Sequence, residues 1–191
     1  MKGERCLSSK CIMVKRPYAP GPKKKRRPSP LSEYGKELME KQRLKNWYNL
    51  RETQFKKYVR AALEKRGVAN PADLLIKKLE MRLDNAVFRL GFAQSRKQAK
   101  QMVGHKYFLV NGKHTDIPSF AVKKGDVISL SSTKAEKAII KKAEEAIKKH
   151  KAPEWLKLDA EKMEGSVIAE PTIEEVAPPS EVPVIFEFYS R

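Results

Sequence analysis

The sequence is short of cysteine, of acidic side chains and of long apolar runs, and each shortage excludes a class of protein. It has two cysteines, Cys6 and Cys11, which are too few for a disulfide scaffold. No apolar run reaches the roughly 18 residues that a membrane span needs, and the N-terminus lacks the apolar core of a signal peptide. We therefore expect a cytosolic protein with no membrane partner.

Acidic residues are few and unevenly placed. The chain carries 41 Lys and Arg against 23 Asp and Glu, which gives a formal net charge of +18 and a sequence pI near 9.9. Residues 1–151 contain 38 basic and 14 acidic side chains, whereas residues 152–191 contain 3 and 9. A strongly basic body with an acidic tail indicates a polyanion, such as a nucleic acid, as the partner.

Residues 1–30 are predicted to form a basic, irregular arm. The segment RPYAPGPKKKRRPSP has five prolines in fifteen residues and a run of five cations, Lys23 to Arg27, so it cannot fold on its own. Two interpretations stay open: a solvated tail, or an extension that becomes ordered on RNA. Tyr18 favours the second because it adds a stacking surface.

Residues 31–80 are predicted to form a helical domain. Ser32 is a capping residue for a first helix. A second helix lies in RETQFKKYVRAALEKRG, with Phe55 and Val59 on one face, and ends at Gly67. A third begins at Asn70, a capping residue followed by the proline preferred at the first helical position. Whether residues 71–90 form one helix or two stays open.

The segment SRKQAKQMVGHKYFLVNGK, residues 95–113, combines signals for a short helix and a hairpin. Ser95 and Gln98 have the spacing of a reciprocal helix cap, and Gly104 is suited to end the helix after about residues 96–103. Asn111-Gly112 is a strong signal for a two-residue hairpin turn. Residues 125–126, Gly-Asp, predict a further turn into a last strand.

The C-terminal part is predicted to contain a basic helix at 133–152 and an acidic tail at 153–191. The tail ends in VPVIFEFYSR, in which Val184 and Phe186 alternate with Ile185 and Glu187, as in a strand. A terminal strand is disordered unless it is docked. Its hydrophobicity predicts that it packs on an earlier part of the chain.

Cations cluster around residues 81 to about 113. A helix that starts at Arg96 places backbone amides beside cationic side chains, which is suited to bind an anion. Arg82, Asn85 and Arg89 are spaced three and four apart and are predicted to share one face of the preceding helix. Together they predict a surface that binds the backbone of folded RNA by shape. The alternative is that Arg82 and Arg89 form local ion pairs with Asp84, which contribute little at a surface.

Residues 81–130, MRLDNAVFRLGFAQSRKQAKQMVGHKYFLVNGKHTDIPSFAVKKGDVISL, resemble the RNA-binding module named after small-subunit ribosomal protein S-four. The segments KGERC, LSEYGKELMEKQRLKNWY, QFKKYV, APEWLKLD and EFYSR extend the resemblance to the bacterial S-four family over nearly the whole chain. The resemblance implies an α+β fold: a helical N-terminal domain (31–80), a small α-α-β RNA-binding module (81–132), and a C-terminal segment that returns to the first domain. From the residues, we expect that segment to be a strand.

The resemblance also implies a function. Members of this family are primary binders of 16S rRNA that nucleate assembly of the body of the 30S subunit and contribute to translational accuracy. They lie beside ribosomal proteins five and three, and twelve is a further candidate neighbour, near the path by which mRNA enters. On matching positions the resemblance, together with the basic surface above, implies an rRNA-binding set: Arg16, Tyr18, Lys23, Lys24, Lys25, Arg26, Arg27, Arg43, Arg51, Gln54, Lys57, Arg60, Arg82, Asn85, Arg89, Ser95, Arg96, Lys97, Lys100, His105, Lys106, Asn111 and Lys113.

The cysteines depart from the family pattern. Many members have two cysteine pairs that bind zinc or a related metal centre, and Cys6 and Cys11 match only the second pair. Two thiolates do not complete a structural zinc site, which takes four ligands. Either the site is lost or an upstream stretch with the first pair is missing from the sequence, so zinc is expected only in the second case.

No enzyme is expected. The same module occurs in pseudouridine synthases and in a tRNA synthetase, but the first needs a further catalytic domain and the second a nucleotide-binding fold with a Gly-rich phosphate loop. The nearest catalytic set, His105, His114 and Asp116, lies on a lysine-dense hairpin and is interpreted as RNA contacts or hairpin polar groups. A non-ribosomal RNA chaperone or mRNA-binding translational repressor that uses the same module stays an alternative.

Overall fold

The fold is α+β, as predicted: helices precede the strands of a small antiparallel sheet, interrupt them once and follow them. A computed structural model describes residues 6, 8–18, 21, 30–65, 70–135, 137, 139–140, 143–144, 147 and 150–190. Its helices are α1 (Ile12–Lys15), α2 (Glu33–Trp47), α3 (Glu52–Leu63), α4 (Pro71–Glu80), α5 (Leu83–Arg89), α6 (Arg96–Gly104), α7 (Ser132–Ala135), α8 (Ile173–Val176) and α9 (Val182–Ser190). Its strands are β1 (Phe108–Val110), β2 (Lys113–His114), β3 (Val127–Leu130), β4 (Leu156–Asp159) and β5 (Glu164–Val167).

The helix starts agree with the capping residues of the sequence. The Ser32 hydroxyl accepts from Gly35 N at 3.2 Å, and the Asn70 side chain accepts from Ala72 N at 3.0 Å. The end predicted for the second helix at Gly67 lies outside the described residues. The open question over 71–90 is answered as two helices, because residues 81–82 break the run between α4 and α5.

The break at residues 81–82 is held by the loop that precedes β3. Val122 N donates to Met81 O, and Leu83 N donates to Phe120 O, both at 2.8 Å, and Arg82 forms an isolated antiparallel bridge with Ala121. These backbone contacts fix the residues that directly follow α4 in an extended junction rather than a flexible linker.

The sheet has the order β2-β1-β3-β5-β4, with all pairs antiparallel. The predicted hairpin is present: Val110 pairs with Lys113 across the turn. The prediction that β3 is the last strand of the module is wrong, because β5 pairs with β3 and β4 pairs with β5. Residues 156–167, assigned from sequence to an acidic tail, therefore complete this sheet.

Two hydrophobic clusters form the interior. One joins α5, α6 and the sheet and includes Phe92, Phe108 and Trp155, all 1% exposed or less. The other joins α2, α3 and α4 around Leu44 and Phe55 and also contains residues of α8 and α9. Part of the basic helix predicted at 133–152 lies outside the described residues; Ile140 and Ile147 within it are buried in the first cluster.

The predicted C-terminal strand is wrong: residues Val182–Ser190 form the helix α9. The segment does pack on the helical domain, where α9 contacts α2 and α3 and buries Val182 and Ile185. These two side chains are one helical turn apart, so a helix places both on the domain, whereas a strand would send them to opposite faces.

A polar cluster closes the contact between α9 and the helical domain. The Glu52 carboxylate accepts from Lys41 Nζ at 2.9 Å, from Lys45 Nζ at 3.2 Å and from the Tyr189 hydroxyl at 2.6 Å. Partial burial raises the pKa of Glu52, but these three donors outweigh it and lower that pKa to about 2. Lys41 Nζ also lies 4.5 Å from the centre of the Phe188 ring.

Among the described residues, no helix is long and apolar enough to span a bilayer.

Candidate RNA-binding surface

One group of exposed cations of the module lies on α6 and on the hairpin. Helix α6 buries Ala99, Met102 and Val103, so the opposite face, with Lys97 and Gln101, points to solvent. Lys100 is half-buried on the flank of that face. Further exposed side chains follow in the chain at the end of the helix and on the hairpin: His105, Lys106 and Lys113. We call these six residues the module face: Lys97, Lys100, Gln101, His105, Lys106 and Lys113.

The start of α6 is capped much as the sequence predicts. The Ser95 hydroxyl accepts from Gln98 N at 3.3 Å. Gln98 Oε1 accepts in return from Gln94 N at 3.0 Å, one residue before the expected position. Ser95 is buried, so we assign its side chain to the cap and leave it out of the RNA-binding surface.

The hairpin turn has the backbone that its sequence requires. Asn111 and Gly112 have φ values of 50° and 78°, the left-handed conformation that both central residues of this turn type need. The Asn111 side chain donates to Asp126 Oδ1 and accepts from Val127 N, both at 2.9 Å. It therefore ties the hairpin to β3, and this geometry argues against its predicted role in RNA contact.

Arg82 is turned into the protein, contrary to its predicted place on an RNA-binding helix face. It precedes α5, is 2% exposed and donates two hydrogen bonds to the carboxylate of Asp84, at 3.0 and 2.6 Å. Its Nη1 also donates to the Tyr58 hydroxyl at 2.7 Å. The alternative of a local ion pair with Asp84 is correct for Arg82, although the pair is buried rather than at the surface.

Glu80 is a buried acceptor at the junction of the two parts. Its carboxylate is fully buried and accepts from the Tyr48 hydroxyl at 2.7 Å, from Asn85 Nδ2 at 2.6 Å, and from Arg89 Nε and Nη2 at 3.0 and 2.8 Å. Burial, and next the Glu80 charge, raise the pKa of Tyr48 well above its usual value. Asn85 and Arg89 are therefore used within the protein: Asn85 is buried, and Arg89 pairs with Glu80 rather than with Asp84.

Arg96 lies in an aromatic cage that spans the junction. Its guanidinium carbon is 4.3 Å from the ring centre of Trp47, 4.6 Å from that of Phe88 and 5.1 Å from that of Tyr48. Its Nε donates to Asn85 Oδ1 at 2.8 Å. Burial lowers the pKa of Arg96 to about 10, so the guanidinium is still charged at pH 7 and is attracted to the ring faces.

Only some of the residues predicted to contact rRNA from the helical domain and the arm lie together in the structure. Arg51, Lys57 and Arg60 are exposed on or beside α3, and Gln54 is half-buried there. Arg43 is exposed but pairs with Glu40 at 2.8 Å. In the arm, Arg16 and Tyr18 are exposed, and Lys23 to Arg27 lie outside the described residues. The family resemblance implied these side chains, and the sequence could not show which of them share a surface.

The interpretation from sequence missed the junction cluster of Trp47, Tyr48 and Glu80. One signal for it was present. Glu80 lies four residues after Ile76 and therefore on the apolar face of α4, where a carboxylate needs a buried partner. The partners, Arg89 and Asn85, come from another helix, and no local pattern identifies them.

The described residues contain no group of three or more His, Cys, Asp or Glu side chains that could bind a metal ion. Cys6 and Cys11 are both half-buried. Two cysteines do not supply the four ligands of a structural zinc site, so the residues described do not fit the metal centre of the family. Zinc binding by a longer form stays a prediction.

An α+β fold with a basic face on a short helix and a hairpin is typical of an RNA-binding protein. Two family models match consecutive parts of the chain: the Ribosomal protein S4/S9 N-terminal domain at residues 1–80 and the S4 domain at residues 81–128. Among curated proteins, the chain is similar to Small ribosomal subunit protein uS4 of Thermotoga petrophila (43% identical), of Caldicellulosiruptor saccharolyticus (44%) and of Thermodesulfovibrio yellowstonii (42%). The first two alignments cover all of this chain and 90% of each relative. The chain belongs to the uS4 family of small ribosomal subunit proteins, a structural family and not an enzyme family.

Proposed function

We propose that this chain is a structural constituent of the small ribosomal subunit that binds 16S rRNA directly. The observation that carries the proposal is the module face, because it presents exposed cations on a capped helix and a rigid hairpin in the part that matches the S4 domain. Phosphate contacts of this kind hold folded RNA by shape rather than by sequence. The name of the relatives, Small ribosomal subunit protein uS4, supports the assignment to the small subunit.

We extend the proposal to two finer roles that the family resemblance suggests: nucleating assembly of the body of the 30S subunit, and contributing to translational accuracy. The junction supports the first role. The Glu80 and Arg96 contacts hold the helical domain and the module together, and the paired backbone at residues 81–83 fixes the link between them, before RNA is bound. A protein whose two parts are already oriented loses less conformational entropy when it binds an RNA junction. Ribosomal proteins five, three and twelve, and mRNA entering the ribosome, are the proposed neighbours.

Binding to the five-prime domain of the small-subunit rRNA tests the proposal. We expect the Lys97→Glu/Lys100→Glu variant to bind this fragment at least tenfold more weakly, because two contacts with phosphate become repulsions. The control, Lys151→Glu/Lys162→Glu, makes the same change of charge at two exposed positions that are not part of the module face and should bind within about threefold of wild type. If the two double variants lose affinity for the fragment equally, net charge alone drives the binding.

Salt dependence separates specific from unspecific binding. Each phosphate contact releases condensed counterions, so the logarithm of affinity falls with the logarithm of salt concentration, by roughly 0.9 per contact on a duplex. We expect a preference for the rRNA fragment over an unrelated duplex of equal length to survive at high salt. A preference that disappears would contradict shape-specific recognition.

A non-ribosomal RNA chaperone or mRNA repressor is the alternative function. Stoichiometry distinguishes it: a ribosomal constituent is retained at one copy per small subunit after a high-salt wash, whereas a chaperone or repressor is released.

A further inference from the structure

A groove opens between the helical domain and the module on the side of the Tyr58–Arg82 contact. It has a cavity volume of about 810 Å³. One wall is α3, with Lys57, Tyr58 and Ala61, and the other is the loop that leads to β3, with Ala121 to Lys124. We call this space the interdomain groove.

The walls of the groove are fixed without a ligand. The loop is bonded to the junction through Val122 N to Met81 O and Leu83 N to Phe120 O. Arg82 fixes the position of the Tyr58 ring: its Nη1 donates to the Tyr58 hydroxyl, and its guanidinium carbon lies 5.6 Å from the ring centre. A groove that is already formed binds a flat ligand without the entropy cost of ordering its walls.

The surface of the groove is apolar inside and positive at the rim. Met81 and Val122 are buried beneath it and Ala61 is half-buried at its wall. Lys77 is neutralised by an ion pair with Glu170, and Lys78 Nζ donates to Ala61 O. Lys57, Lys123 and Lys124 are exposed at the rim and make no ion pair with any described residue.

We infer that the interdomain groove takes one unpaired nucleotide of the small-subunit rRNA, with its base against Tyr58 and its phosphate among Lys57, Lys123 and Lys124. This inference rests on the proposed function and goes beyond it, because the module face binds RNA backbone, whereas the groove takes a base. Unpaired bases stack on aromatic side chains, and the negative charge of the attached phosphate complements the positive rim.

Two other ligands fit the groove less well. A duplex keeps its bases inside and cannot fill a concave apolar groove. A neutral apolar ligand would leave the three lysines without counter-charge.

Ala121→Glu is the sharpest perturbation of the groove. Ala121 is exposed and lines the groove, so a glutamate side chain fits there without disturbing the core. Its carboxylate places a negative charge in the apolar base site and repels the phosphate. Lys123→Glu is a second variant that acts on the rim alone. Lys162→Gln is the control: it lowers the net charge by one, as Ala121→Glu does, at an exposed position in the turn between β4 and β5.

The experiment combines affinity with base modification on the five-prime domain of the rRNA. Dimethyl sulfate reacts with unpaired adenines and cytosines, and a base bound in the groove is protected from it. We expect the wild-type chain and Lys162→Gln to protect at least one unpaired base. We expect Ala121→Glu and Lys123→Glu to lose that protection and to weaken binding three- to tenfold.

Three other results would overturn the inference. If the variants keep every protection of the wild type, the groove is empty in the complex, while the proposed function stands. If the wild-type chain does not bind the fragment at all, the proposed function fails together with the groove. If an unstructured RNA of twelve nucleotides removes the protection without displacing the fragment, the groove takes any unpaired RNA, and the assignment to rRNA is wrong.

Discussion

Glu80→Gln tests whether the buried carboxylate at the junction stabilises the fold. The substitution keeps the shape of the side chain and removes its charge. The carboxylate accepts four hydrogen bonds, from Tyr48, Asn85 and twice from Arg89. A glutamine has one acceptor oxygen, and its amide nitrogen would face donors, so Arg89 loses its counter-charge and at least one donor loses its acceptor.

The size of the effect follows from the burial of the pair. Removing one partner of a buried ion pair typically costs about 3 to 5 kcal/mol of unfolding free energy. Arg89 is 22% exposed and gains some hydration in the variant, so we take the low end, about 3 kcal/mol. For a chain of this length, each kcal/mol lowers the melting temperature by roughly 2 to 4 °C, which predicts a decrease of about 6 to 12 °C.

Thermal unfolding followed by circular dichroism measures the effect. Glu154→Gln is the matched control, since Glu154 is exposed and the same change there should alter stability by less than about 0.5 kcal/mol. The double variant Glu80→Gln/Arg89→Met should lose less stability than the sum of the two single changes, because the two side chains interact directly. A melting temperature for Glu80→Gln within about 2 °C of wild type would refute the reasoning, since it would mean that the buried pair contributes nothing net.

Three further predictions concern packing and pH. Gly165→Ala should destabilise the protein by about 1 to 3 kcal/mol in urea unfolding, because a Cβ there meets both methyl groups of the buried Leu90; Gly104→Ala, with open space around it, should leave stability unchanged or raise it slightly, and equal losses would contradict the steric argument. Ile185→Ala should cost about 2 to 5 kcal/mol, measured in the same way, because the side chain is fully buried between α9 and the helical domain; an unchanged midpoint would show that α9 is not docked in solution. The Glu52 carboxylate has a pKa lowered to about 2, so its contribution to stability is complete above the pKa of about 4.3 in the unfolded chain and is lost as the pH falls toward 2. The difference in melting temperature between wild type and Glu52→Gln should therefore shrink between pH 6 and pH 2.5, and a constant difference would contradict this assignment.

Local features of the fold could be predicted from the sequence because their causes lie within a few residues. The caps at Ser32, Asn70 and Ser95 and the turn at Asn111-Gly112 depend on a side chain and a backbone separated by one to three positions. The resemblance to the S-four family was also visible, since it rests on residue types along the chain, and the family models confirm it.

The last segment shows where local pattern fails. VPVIFEFYSR is rich in β-branched and aromatic residues and alternates like a strand, yet it forms α9. Its neighbours decide the outcome, because α2 and α3 offer an apolar surface that a helix covers with Val182 and Ile185 together. Burial outweighs the weak preference of single residues. The hairpin of β4 and β5 was missed for a related reason, since it is stabilised by pairing with β3, more than thirty residues earlier.

The candidate RNA-binding surface also has some features that the sequence predicts and others that only the fold decides. The sequence by itself determined that the chain is strongly basic and that its cations gather around a short helix and a hairpin, and it predicted a polyanion as the partner. Only the tertiary structure decided which of these cations are exposed and which are turned into the protein. Arg89 and Arg96 are turned inward by Glu80 and an aromatic cage that come from other parts of the fold. Arg82 is held by its near neighbour Asp84 and by Tyr58 of α3. A charge taken out of water needs a counter-charge or a ring face beside it, and only the folded chain brings those groups together.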